Sequence, residues 1–223
     1  MRSNASTLAE YHLQANLLDT HPVLVVPGWN GSGEGHWQTI WEQQHSSFQR
    51  VEQANWTDPA KDEWIECLHN EIQEMDRPGF IVAHSLGCLA VAHWAAQATR
   101  AEAEPIAGAF LVAPPWLSQA GCWPSELHDF LPMPLIPLPF PAMLVASEND
   151  PYLPMANATE LAACWRSEFV NVGRQGHINI ASGHGSWKHG KTLLTAFIVQ
   201  ATGVAKREAM IGITLGSPTR RCH

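Results

Sequence analysis

The sequence predicts an α/β fold of three layers, with a mostly parallel central sheet of about six strands and helices on both faces. Short, wholly apolar runs such as VLVV at 23–26 are typical of strands that are buried on both faces of a parallel sheet. Between these runs lie segments whose apolar residues recur at helical spacing. Such alternation of strand and helix is typical of parallel α/β sheets.

The first half of the chain alternates strand and helix three times. The run at 23–26 ends at Pro27-Gly28, and a glycine-rich loop at 29–35 follows it. A short strand is predicted at 48–51, and the run at 80–83 leads into a third helix. The first two helices each have an apolar face, formed by Trp37, Ile40 and Trp41 in one and by Trp64, Ile65, Leu68 and Ile72, after Asp58-Pro59, in the other.

The second half repeats the pattern. Apolar runs at 106–113, 142–146 and 169–172 predict three further strands, with helices at 154–167 and 187–200. The connection at 114–140 contains many prolines but is also rich in apolar residues. Because long connections of this kind are often functional, we expect it to form a lid over the site.

One domain accounts for most of the 223 residues, since domains usually hold roughly 100 to 200 residues. We assign 1–20 to an N-terminal extension, which either forms a short helix or frays, and 21–201 to the domain. Residues 202–223 lack an amphipathic pattern and are predicted to be a disordered C-terminal tail.

The charge and cysteine content limit the possible partners and location. A formal net charge of -8 gives no reason to expect binding to nucleic acid or to an anionic membrane. The five cysteines form no C-x-x-C pair, which suits a reducing compartment. With no signal-peptide core and no apolar run of about 20 residues, we expect a soluble cytoplasmic protein. The sequence indicates no cofactor and leaves the oligomeric state open.

The stretch FIVAHSLGC at 80–88 predicts a strand, a tight turn and a helix, with Ser85 at the turn. Small residues flank the serine, Ala83 two positions before it and Gly87 two positions after it, so the strand and helix can approach closely. This is typical of a nucleophile elbow of the G-x-S-x-G type, with alanine in place of the first glycine. The alternative is that Ser85 only caps the helix.

Two more polar residues follow predicted strands. Asp150 comes after the strand at 142–146 and His177 after the strand at 169–172, so the three occur in the order serine, aspartate, histidine that is typical of α/β-hydrolases. In such a triad the histidine takes the proton of the serine, and the aspartate orients the histidine. Backbone N–H groups of Trp29 and Leu86 are predicted to stabilise the oxyanion.

Each of these residues has an alternative interpretation. Asn149-Asp150-Pro151 is also good turn chemistry, and His184, in a similar G-H-G context, is the second candidate for the base. His177, His184 and His189 together suggest a metal site, but no H-E-x-x-H or matching Cys/His set accompanies them, so we predict no metal.

From about 23 to 197 the chain resembles the small serine hydrolase family typified by retinoblastoma-binding protein nine. The resemblance rests on PGWNGSGEGHWQTIW, AHSLG, SENDPY and GHINIASGHGSW, of which the first and last are the more particular. It implies an α/β-hydrolase fold, a triad of Ser85, Asp150 and His177, and a natural substrate that is uncertain. The L-x-C-x-E motif discussed for binding of pocket proteins is absent from the sequence.

We therefore expect a serine hydrolase that cleaves an ester or amide of a small molecule or short peptide through an acyl-enzyme. The alternative is a protein-binding module that keeps the scaffold with little or no turnover. Acyl transfer to an acceptor other than water uses the same intermediate, so the sequence does not separate it from hydrolysis.

Overall fold

The structure, a computed structural model, describes residues 18–117 and 123–215, the last twelve of them by backbone alone. The predicted N-terminal helix, apart from Leu18 at its end, lies outside the described residues, as do 216–223 of the predicted tail. In the described part of the chain, no helix is long and apolar enough to cross a membrane.

Six strands form one sheet, in the order β2-β1-β3-β4-β5-β6. Every neighbouring pair is parallel, so the prediction of about six strands is confirmed and the sheet is wholly rather than mostly parallel. A helix or a long loop lies between successive strands and returns the chain to the same end of the sheet. For this reason no strand pair among the described residues is antiparallel. The strands are β1 (Val23–Val26), β2 (Phe48–Arg50), β3 (Gly79–His84), β4 (Ile106–Val112), β5 (Ala142–Ala146) and β6 (Glu168–Asn171).

Helices cover both faces of the sheet and bury two separate clusters of apolar side chains. One cluster lies between one face of the sheet and the second, third and fifth helices along the chain. The other lies between the opposite face and the first and last helices. The predicted three-layer arrangement is thus confirmed. The helices are α1 (Trp37–Gln44), α2 (Lys61–Gln73), α3 (Leu86–Gln97), α4 (Arg100–Ala103), α5 (Met155–Trp165) and α6 (Lys188–Leu215).

Helix α2 begins later than predicted, and one further helix was not predicted. Helix α2 begins at Lys61 rather than at Pro59, because the side chain of Asp129 accepts a hydrogen bond from the Lys61 N–H and caps the helix there. Helix α4, a single turn, was not predicted; Thr99 and Glu102 form a capping box at its start.

The largest difference concerns α6, which continues to Leu215 instead of ending at Gln200. Residues 202–215 are therefore helical rather than disordered. Alanine, lysine, arginine, glutamate and methionine at 205–210 favour helix without any amphipathic pattern, which explains why the periodicity gave no sign of it. Disorder stays a prediction for 216–223.

The connection between β4 and β5 packs against the domain at several points. A 3-10 helix, Ser125–Phe130, buries Leu127 and Phe130 in the larger cluster, and the ring of His93 donates to the Phe130 carbonyl. Further along, the indole of Trp165 donates to the carbonyl of Pro134 at 2.8 Å. The segment thus forms one wall beside the carboxyl ends of the strands.

Candidate active site

The carboxyl ends of β1 and β3 form the centre of the site. From β1 the chain continues to β2 on one side of the sheet, whereas β3 and all later strands lie on the other side. Such a switch point opens a crevice above the sheet, where α/β proteins bind their ligands. The glycine-rich loop follows β1 and the turn with Ser85 follows β3, so both border this crevice.

Gln38 connects the two strands on either side of the crevice. Its side chain is fully buried, and its amide Nε2 donates to the carbonyls of Val26 on β1 (3.3 Å) and Val82 on β3 (3.1 Å). Its Oε1 accepts a hydrogen bond from Ser32 in the glycine-rich loop. One side chain therefore links the loop after β1 to the ends of both strands.

Ser85 adopts the strained backbone of a nucleophile elbow, with φ 52° and ψ −126°. This conformation costs about 1 to 3 kcal/mol for a non-glycine residue, so the surroundings must hold it. A Cβ at Gly87 would lie 2.3 Å from the Val26 carbonyl oxygen, and one at Gly28 would lie 2.8 Å from the Ser85 Cβ. The two glycines therefore allow the close approach of strand, loop and helix that the turn requires.

The structure brings Ser85, His177 and Asp150 together. The Ser85 hydroxyl lies 2.9 Å from His177 Nε2, and His177 Nδ1 lies 3.0 and 2.9 Å from the two carboxylate oxygens of Asp150. The carboxylate is wholly buried and the imidazole is 9% exposed. Because a carboxylate only accepts, His177 donates from Nδ1, which leaves Nε2 free to accept the serine proton.

The turn after β5 also holds the segment that leads to His177. The hydroxyl of Ser147 accepts a hydrogen bond from the Gln175 N–H, and Asn149 Oδ1 accepts one from the Gly176 N–H, both at 2.8 Å. Neither side chain had a predicted role. Their position beside Asp150 in S-E-N-D was the available signal, but it equally indicates an ordinary turn.

His84 lies beneath the site and also had no predicted role. Its Nε2 donates to the backbone carbonyl of His177 at 2.9 Å, so its ring supports the main chain of that residue. Burial, together with the nearby imidazoles of His177 and His36, holds its pKa well below the ordinary value.

His36 packs against the ring of His84 and caps α1 by accepting from the Gln38 N–H. Burial first, then the positive charge of Arg50 and the neighbouring imidazole of His177, lower the pKa of His36 to about 4. Both rings are thus neutral at pH 7, and the only proton acceptor directed at Ser85 among the described side chains is His177.

His184 occupies a different place. Its Nε2 hydrogen-bonds to the Gln175 side chain at 2.9 Å, and its Nδ1 lies 3.4 Å from the Ser182 hydroxyl. The candidate base of second choice is therefore a buried part of the loop after β6. Among the side chains that the structure describes, in 18–117 and 123–203, no group of three or more His, Cys, Asp or Glu is arranged to hold a metal ion.

Two tryptophans of α1 bind the backbone of the loop after β6, which carries His177. Trp37 Nε1 donates to the Ile178 carbonyl at 2.9 Å, and Trp41 Nε1 donates to the Ser186 carbonyl at 3.1 Å. Both indoles also pack against Trp187, with ring centroids 5.1 and 5.9 Å apart. We call these three tryptophans the tryptophan clasp; it attaches the His177 loop to the first helix.

Trp29 lines the same cavities as Ser85, and Leu86 is the next residue after Ser85 in the chain. Neither residue's backbone N–H makes a hydrogen bond to any residue within the described ranges. Leu86 is the first residue of α3, where a helix leaves its N–H groups without intrahelical partners and carries a partial positive charge. The two predicted donors are therefore available to a ligand atom.

Two clefts meet at Ser85 and His177. One, of about 320 Å³, lies between Leu86 and the β4–β5 connection and has mostly apolar and aromatic walls. The other, of about 290 Å³, is bordered by Gly31 and Gly33 on one side and by Asn179 and Ile180 on the other. Trp29 lines both, and we call them the aromatic cleft and the glycine cleft.

The parallel sheet, the serine in a strained turn after β3 and the histidine after β6 define the class of the protein as an α/β-hydrolase. Residues 23–196 match the model of the serine hydrolase family, and the chain therefore belongs to that family. The protein is therefore an enzyme of the hydrolase class. The narrower resemblance to retinoblastoma-binding protein nine stays a prediction.

Solved structures agree with this assignment. A protein described as a YdeN-like hydrolase from Pectobacterium atrosepticum is 32% identical, with a TM-score of 0.74 over 86% of this chain and 98% of that chain. The YdeN protein of B. subtilis is 20% identical, with a TM-score of 0.63 over 80% and 98% of the two chains, and supports the fold alone. The same holds for a monoacylglycerol lipase from Paleococcus ferrophilus, 12% identical with a TM-score of 0.58 over 80% and 94%. No similar sequence was found among curated proteins.

Proposed function

We propose that the protein hydrolyses an ester or amide bond of a small molecule or short peptide, with Ser85 as nucleophile, His177 as base and Asp150 as its partner. The observation that carries the proposal is the continuous chain of hydrogen bonds from Asp150 through His177 to Ser85, at 2.9 to 3.0 Å. A serine hydroxyl needs such a base at neutral pH.

In the proposed reaction the Ser85 proton passes to His177 Nε2 as the oxygen bonds to the substrate carbonyl carbon. The carbonyl oxygen becomes an oxyanion, which accepts hydrogen bonds from the N–H groups of Trp29 and Leu86. His177 then returns the proton to the leaving alcohol or amine, and the carbon–heteroatom bond breaks. Water repeats the sequence on the acyl-enzyme, which releases a carboxylic acid and restores Ser85.

A fluorophosphonate probe tests the assignment, because an activated serine displaces its fluoride and becomes phosphonylated. We expect wild type to be labelled and Ser85→Ala and His177→Ala not to be labelled. In enzymes of this type, loss of a triad member lowers kcat by about 10⁴-fold or more. His184→Ala is the matched control, since His184 hydrogen-bonds elsewhere, and it should keep its labelling.

Loss of labelling in folded His184→Ala, with labelling retained in His177→Ala, would reverse the choice of base. Absence of labelling and of ester hydrolysis in folded wild type would instead overturn the proposed function. Near-ultraviolet circular dichroism verifies the fold of each variant, because the tryptophans around the site report on its packing.

A further inference from the structure

The two clefts differ in chemistry, and this difference bears on the substrate. The walls of the aromatic cleft are formed by Leu86, Pro115, Trp123, Pro124, Leu127 and Tyr152. Trp123 packs against Tyr152 with ring centroids 5.7 Å apart, and Leu127 is 3% exposed. Its volume of about 320 Å³ is near the lower limit for ligand pockets and corresponds to about ten water molecules at roughly 30 Å³ each.

The aromatic walls also contact the proposed base. The ring of Tyr152 packs edge to face on the imidazole of His177, with centroids 4.7 Å apart, and the Tyr152 N–H donates to Asp150. An apolar group seated against Trp123 and Tyr152 therefore lies next to the reacting atoms rather than at a distant subsite. Its burial would exclude water from the hydrogen bond between His177 and Ser85.

The glycine cleft has walls of another kind. Gly31 and Gly33 leave one side without side chains, and Asn179 and the imidazoles of His36 and His84 supply polar edges. A Cβ added at Gly33 would meet no atom within 4 Å, so this wall faces open space. The cleft is therefore more polar than the aromatic cleft and suits a group without an aromatic ring.

Neither cleft is lined by a Lys, Arg, Asp or Glu side chain in the described part of the chain. Burying a charged group without a partner is costly, so a charged substituent would have nothing to pair with. We propose that the substrate is an uncharged ester or amide with an aromatic-sized apolar group on one side of the scissile bond and a group without an aromatic ring on the other. This inference rests on the proposed function and adds the substrate class.

Two isomeric esters test it. Methyl phenylacetate and benzyl acetate have the same atoms but carry the aromatic ring on the acyl side and on the alcohol side, respectively. Burial of a ring in the aromatic cleft predicts that one isomer has a kcat/KM about 10- to 100-fold above that of methyl acetate, and that the other isomer does not. Equal values for all three esters would overturn the inference while leaving the hydrolase proposal intact.

Charge is tested on the better isomer. A carboxylate or an aminomethyl group on its ring should lower kcat/KM by at least about tenfold relative to an ethyl group, because neither charge finds a partner. A preference for either charged ester over the neutral one would refute the uncharged class. Both an anionic and a cationic ester are tested, because the protein's net charge of -8 alone disfavours anions.

Variants assign the clefts. Trp123→Ala should remove most of the advantage of the better isomer, whereas Leu135→Ala, an exposed leucine of the same connection that lines neither cleft, should keep it. Gly33→Leu, whose Cβ would meet no atom within 4 Å, should narrow the glycine cleft and lower kcat/KM for esters that carry a larger group on that side. If Trp123→Ala retained the full preference while still being labelled by the fluorophosphonate, the aromatic cleft would not be the specificity site.

If no ester is hydrolysed and wild type is not labelled, the proposed function fails together with the inference. If wild type is labelled and hydrolyses methyl acetate with the same kcat/KM as the aromatic esters, only the inference fails. The labelling experiment thus separates the two outcomes.

Discussion

Gln38 offers the sharpest test of how the site is held open. Replacing it by methionine keeps a similar length but removes the amide that donates to the Val26 and Val82 carbonyls and accepts from Ser32. Three buried polar groups then lose a partner, and each costs about 1 to 3 kcal/mol when unsatisfied. Both carbonyls retain a second lone pair for strand pairing, so we expect a loss near the lower end, about 3 kcal/mol.

Urea unfolding, followed by tryptophan fluorescence, measures this free energy. For a domain of this size about 3 kcal/mol corresponds to a fall in Tm of about 6 to 12 °C. A loss below about 0.5 kcal/mol in Gln38→Met would refute the reasoning, because it would mean that the three hydrogen bonds contribute little. Thr195→Val is a suitable control, since Thr195 is also buried but donates only within its own helix.

Gln38→Glu sharpens the test, because an ionised carboxylate would face two carbonyl oxygens at the same place. Burial and the carbonyls should raise the folded-state pKa of the introduced carboxyl group above its unfolded value near 4.3. The stability of the variant should then be greatest below the unfolded pKa and be lost as pH rises through the folded pKa. Greater stability of Gln38→Glu than of Gln38→Met at pH 8 would contradict this explanation.

Three other predictions concern titration, backbone packing and thiol reactivity. Because the pKa of His36 falls from 6.5 to about 4 on folding, the unfolded chain binds more protons, and this residue should cost about 3 kcal/mol of stability as pH falls through that interval. His36→Asn, which keeps a helix cap without the titration, should flatten the dependence of urea unfolding on pH. Gly87→Ala should unfold or lose at least about 3 kcal/mol, since its Cβ would meet the Val26 carbonyl, whereas Gly33→Ala should stay within about 1 kcal/mol of wild type by the same assay. Native Cys88 should resist iodoacetamide at pH 8, because burial raises its thiol pKa well above the ordinary value, and modification detected by peptide mass spectrometry without unfolding would contradict this.

The features that the sequence predicts well are those with strong local patterns. The apolar runs of β1, β3, β4 and β5 fall where continuous burial places strands, and A-H-S-L-G lies where β3 meets α3. The order of Ser85, Asp150 and His177 could be read from the chain because each residue follows a different strand. Parallel strands bring such positions to one edge of the sheet.

Contacts between distant segments could not be predicted in this way. Nothing local indicates that Gln38 reaches two strands, that Ser147 and Asn149 hold the approach to His177, or that His84 supports its carbonyl. The extent of α6 was missed for another reason, since helix propensity without amphipathic periodicity resembles an irregular tail. Packing and register decide these points, and neither is encoded in a short window of sequence.

The tryptophan clasp has a consequence for how related chains are recognised. The two most particular motifs, around Trp37 and around Trp187, lie about 150 residues apart in the sequence, yet they are the two sides of one contact. When both motifs occur in a related chain, they therefore count as one piece of evidence for the relationship rather than as two independent ones. Substitutions on the two sides should be strongly non-additive in a double-mutant cycle, because a change on one side already leaves the other without its neighbour.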